Sequence, residues 1–89
     1  MKEEQKDFEL TKAELVKVQK IIDESTPWRY TLRQLFGKTR WNEIGDDGEK
    51  RDYGIRFAQS YEKGDVKRVV ADGNKSNSLA YCTNGYCRA

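Results

Sequence analysis

Arg56, Gln59 and Lys63 stand at the three- and four-residue spacing that gathers side chains on one helix face. Their types suit nucleic acid. An arginine fork fits a guanine edge, a glutamine amide fits an adenine edge, and a lysine fits a phosphate. Arg29, Arg33, Lys38 and Arg40 precede them, and Lys67, Arg68 and Lys75 follow, as candidate phosphate contacts. Against this, Glu49 and Asp52 share the helix with Arg56 and would repel phosphate. The same pattern describes a solvated helix surface or a protein interface.

Little else in the chain could do chemistry. There is no histidine, which removes the commonest general base and metal ligand together. No glycine-rich loop could cradle a phosphate, and no serine or cysteine has an evident base partner. Asp46 and Asp47 read as helix caps rather than an acid–base pair. No catalytic residue, metal site or cofactor is expected. Cys82 and Cys87 flank Asn84-Gly85. Two free thiols are the expectation. A disulfide across the tight turn, or half a metal site completed by a second copy, are the alternatives.

Three capping boxes mark where the elements that carry these residues begin. Thr11 with Glu14 opens a first helix over about 11–25, with Leu10 and Leu15 as a hydrophobic staple and Leu15, Val18, Ile21 and Ile22 on one face. Pro27 stops it. Trp28-Arg29-Tyr30 is a short extended piece. Thr31 with Gln34 opens a second helix over 31–37 that ends at Gly37, with a further helical turn at 40–44 around Trp41 and Ile44. Asp46 with Glu49 opens a third over 46–63, closed by Gly64. It carries an apolar stripe of Tyr53, Gly54, Phe57, Ala58 and Tyr61. Gly54 in mid-helix suggests a close backbone crossing. Val66–Ala71 and Ser78–Cys82 then form a β-hairpin around a polar turn at 72–77. Trp28, Tyr30 and Trp41 are expected in the core.

The 89 residues make one small domain: a mobile charged N-terminus at 1–10, a folded unit at 11–83 and a short tail at 84–89. Net charge is −2 over 1–27, +3 over 28–45, −1 over 46–63 and +2 over 64–89. Basic character therefore lies beside the third helix, not on it. No apolar run could span a membrane and no signal peptide is visible, so a cytoplasmic location is expected.

The order helix, strand, helix, helix, hairpin predicts an α+β fold of the winged helix-turn-helix kind. The chain from Tyr30 to Tyr81 also resembles a family of small bacterial and phage proteins, "domain of unknown function 1413". The resemblance rests on Leu35-Phe36-Gly37, Trp41, Gly54 with Phe57, Gly64, and the run from Lys75-Ser76-Asn77 to Tyr81. It implies a winged-helix-like fold and a phage or mobile-element setting, with no assigned activity. The expected function is a non-enzymatic regulator that binds double-stranded DNA, dimerising through the first helix. The alternative is a protein-interaction module, such as a phage-encoded, anti-CRISPR-like inhibitor that binds a host protein.

Overall fold

Each capping box closes as its spacing predicts. In this computed structural model, which describes residues 9–75 and 78–86, Thr11, Thr31 and Asp46 each accept from the backbone N–H three residues on. Glu14, Gln34 and Glu49 each accept in return from the cap residue's own N–H. The helices that follow are α1 (Lys12–Glu24), α2 (Leu32–Glu43) and α3 (Asp47–Lys63). α2 breaks at Gly37, whose φ of 84° and ψ of 159° only glycine adopts readily. Lys38–Glu43 resumes as a helical segment and fills the long gap before α3. Gly64 ends α3 in the left-handed conformation.

Three strands complete an α+β fold: β1 (Arg29–Thr31), β2 (Val69–Lys75) and β3 (Ser78–Thr83). They form one antiparallel sheet in the order β1-β3-β2, with Tyr30 opposite Tyr81 and Ala71 opposite Tyr81. The hairpin starts later than the sequence suggests. Val66 is buried but precedes the strand, because Arg68 takes a φ of 67° before β2 can begin. β2 then runs further, through a register shift between Ala71 and Asn74 made possible by Gly73 at φ 68°. The expected turn residues 76–77 lie outside the described residues.

The core forms where α1, α2, α3 and one sheet face meet. Val18, Ile22 and Phe57 are fully enclosed, with Leu35, Phe36, Tyr53 and Tyr81 around them. Phe57 and Tyr61 both meet the Tyr81 ring edge-on, so the α3 stripe packs on the sheet. At about 25 cal/mol per Å² of apolar surface, such rings carry much of the stability of a chain this short.

Several expectations need correction. Gly54 marks no close crossing: a Cβ built there meets nothing within 4 Å. Ser60, outside the predicted stripe, is buried and accepts the Leu10 N–H at 2.9 Å. Leu10 is therefore anchored, and Glu9 pairs with Lys63, so the folded unit begins before residue 11. The rest of the predicted mobile N-terminus, residues 1–8, lies outside the described residues. Trp28 is 50% exposed rather than core, stacked on Tyr86 at a centroid distance of 5.2 Å. Trp41 and Tyr30 do pack on the core edge.

The tail is tied down at its start. Asn84 donates from Nδ2 to the carbonyls of Ile22 and Ser25 at the end of α1. Asn84 and Gly85 hold positive φ in a turn closed by Tyr86 N–H to the Thr83 carbonyl. Cys82 is not a free thiol but disulfide-bonded. It lies in the central strand one residue before Thr83, which ends it. The chain's other cysteine, Cys87, lies outside the described residues.

Candidate functional site

Most of the cations expected to meet nucleic acid are turned to internal use. Arg56 lies on the flank of α3 facing α1 rather than on its outer face. Its guanidinium forks onto Glu14, Nη1 to Oε1 at 2.7 Å and Nη2 to Oε2 at 3.3 Å. It also lies 5.7 Å over the Tyr53 ring and 3.8 Å from Asp52. Lys63 pairs with Glu9 at 2.8 Å and stands 3.7 Å from Asp65. Arg68 faces Asp23 at 3.9 Å. Lys67 Nζ donates to the Gly64 carbonyl, and the Lys67 backbone exchanges two hydrogen bonds with the Gln19 amide.

Arg29 is a clamp across the sheet. From β1 it reaches the carbonyls of Asp72 and Asn74 on β2 and the Asp72 carboxylate at 2.8 Å. β3 lies between those strands, so the side chain crosses over the sheet face that Ala80 and Cys82 share with it. Both are almost wholly covered. Lys75 reaches back, donating to the Arg29 carbonyl at 3.0 Å. These contacts tie the turn end of the hairpin to β1. Of the ten residues singled out, only Gln59, Arg33, Lys38 and Arg40 are left exposed with no side-chain hydrogen bond or ion pair among the described residues.

The exposed turns of α3 carry Asp47, Arg51, Asp52, Ile55, Gln59 and Glu62, a mixed and slightly acidic surface with Ile55 half exposed. Arg51 aside, the free cations among the described residues lie elsewhere, at Arg33, Lys38 and Arg40 on α2 and Lys12, Lys17 and Lys20 on α1. The apolar residues of α1 are spent internally: Val18, Ile21 and Ile22 face the core, and Val16 alone stands 66% exposed.

A groove of about 380 Å³ opens where α1, α2 and α3 converge. Its floor is apolar and aromatic, built from Phe36, Ile44 and Tyr53, with Trp41 set edge-on against the other two rings. The Glu14–Arg56 pair forms one wall. Exposed charges of both signs ring the mouth: Lys17 and Arg40 against Glu43, Glu49 and Asp52.

The electrostatics of the wall follow from its contacts. Burial alone would raise the Glu14 pKa, but the hydrogen bonds from Arg56 and from the Thr11 N–H outweigh it and leave it lowered. The same bond to Glu14 raises Arg56 further. Burial, and then the Glu14 charge, push the Tyr53 phenol well above its usual range, so it stays a neutral hydroxyl.

The sequence gives no direct sign of this groove. Its parts come from three helices, and Glu14 reads as a cap alone. The visible signal is the kinked α2, which brings Arg40, Glu43 and Ile44 toward the start of α3. Among the described residues no three acidic or cysteine side chains stand close enough to hold a metal ion, and no helix is long and apolar enough to cross a membrane. No protein-family model, curated protein or solved structure matches this chain.

Proposed function

We propose that this chain is a non-enzymatic protein-interaction module on a winged-helix-like scaffold. The scaffold reading is supported by the element order and by β1 lying beside β3, so that the short strand before α2 joins the hairpin. The single observation that carries the functional reading is the fate of Arg56. The residue best suited to read a base is committed to Glu14, and leaving would unpair a half-buried carboxylate. With it gone, the outer face of α3 is a mosaic of charge around an exposed Ile55. Such a face suits a protein partner, because a polyanion needs a coherent basic surface. Fold alone would not decide this, since winged-helix scaffolds serve both purposes.

A photo-reactive benzoylphenylalanine at Ile55 tests the reading in the cell that makes the protein. Discrete protein adducts are expected. Adducts that nuclease digestion removes would reject it.

The second reading, weak binding to double-stranded DNA, is favoured by one observation. Arg33, Lys38 and Arg40 on α2 have no internal partner among the described residues and could line phosphates. It requires contact through α2 and the hairpin rather than through α3.

A further inference from the structure

We infer that Asn84–Gly85 is a self-modification site: Asn84 loses its amide nitrogen spontaneously once the fold releases it, and the carboxylate left behind does not fit back. It stands independently of the proposed function.

The pair has the chemistry for it. An asparagine side chain is open to attack by the backbone nitrogen of the next residue, and glycine, with no Cβ, leaves that nitrogen unobstructed. Gly85 is exposed, and its N–H makes no hydrogen bond among the described residues. In the reaction the Gly85 nitrogen gives up its proton and bonds Asn84 Cγ. The Cγ–Nδ2 bond breaks, and Nδ2 leaves as ammonia. Water then opens the cyclic imide at either carbonyl, giving aspartate or isoaspartate. No other reactant is needed.

The native contacts hold this back in two ways. The departing nitrogen is the anchored atom. Nδ2 donates to the carbonyls of Ile22 and Ser25, each at 3.0 Å, and lies 3.4 Å from Ser25 Oγ. The oxygen is the opposite case: Oδ1 is buried with no hydrogen-bond partner among the described residues. Attack at Cγ moves negative charge onto that oxygen, and a buried oxyanion without a donor is costly. The reaction therefore proceeds when the turn swings off α1 and Oδ1 reaches water.

The product does not fit the site it left. Asn84 stitches three elements, through its side chain to the end of α1, through its N–H to the Arg68 carbonyl at 2.8 Å ahead of β2, and by its place just after β3. An aspartate there has acceptors and no donor. It meets the Ile22 and Ser25 carbonyls at the negative end of the α1 dipole, and α1 carries no basic residue in its last turn to offset it. Isoaspartate lengthens the backbone within the turn and displaces the bond from Tyr86 N–H to the Thr83 carbonyl. A reversible opening of the hairpin end thus becomes permanent.

Peptide mass spectrometry of the full chain, held in neutral buffer with and without guanidinium chloride, follows the conversion of Asn84. Conversion should be at least about tenfold faster in denaturant, because in buffer it runs only through the open fraction. Equal rates would overturn the inference, and so would an Asn84 that stays intact in denaturant. Thermal unfolding of Asn84→Gly and Asn84→Asp tests the product. Glycine keeps the left-handed turn and drops the contacts, and should lower Tm by about 5 °C. Aspartate adds repulsion and should lower it by about 10 °C. An aspartate variant as stable as the glycine variant would overturn the permanence of the release. Should Asn84→Asp fail to fold while Asn84→Gly folds, the expected order holds. Should both fail, the two rates in the wild-type chain still decide.

Discussion

Glu14 does two jobs with one carboxylate. Its Oε1 accepts from the Thr11 N–H at 2.9 Å, closing the cap of α1, and from Arg56 at 2.7 Å, tying α1 to α3. Replacing it with glutamine should cost about 1 kcal/mol, modest because the pair is partly solvated, at 18% and 32% side-chain exposure. The pH dependence follows from the lowered pKa. A depressed folded-state value contributes stability that is present above the unfolded carboxylate pKa and is lost as pH falls through the folded one. Urea denaturation at pH 7 and pH 3 should show the wild type losing more stability on acidification than Glu14→Gln. A second test at this scale is Gly54. With open space at its Cβ, Gly54→Ala should stabilise α3 by about 0.5–1 kcal/mol in the same assay. A loss would mean that something does approach the helix there.

At the scale of elements, the helix starts were legible because a capping box is a local code, read within four residues. All three close at the expected positions. The break at Gly37 was equally local. What was not legible was anything set by partners distant in sequence. Arg56 was read from α3 alone, and its neighbour Glu14 lies 42 residues away. Ser60 carries no local sign of burial, yet it is enclosed and accepts the N–H of Leu10, fifty residues away. Trp28 was read as core because a small domain needs aromatic area, whereas the chain spends it on an exposed stack with Tyr86. The sheet clamp offers a test of this longer-range order. Ala80→Leu puts bulk where the Arg29 side chain crosses β3, and should destabilise by about 1–3 kcal/mol. Arg29→Ala in the same background should add little further, because the clamp is already displaced. Thermal unfolding of the single and double variants measures that coupling.

Across the whole molecule, the charges that pair among the described residues tie elements together rather than face outward. α3 is tethered on one side by Glu14–Arg56 and on another by Glu9–Lys63. The hairpin is held by Arg29 and Lys75, and the end of α1 by Asn84 and Arg68. A DNA-binding domain of this size would keep such cations free to release counterions from the duplex. These internal pairs leave no coherent basic face on α3. Fluorescence anisotropy of a labelled random duplex at about 50 mM and 200 mM salt tests it most directly. No saturable binding tighter than about 10⁻⁴ M is expected at the lower salt, where even non-specific binders associate readily. Micromolar binding at 50 mM salt that weakens steeply by 200 mM would contradict it.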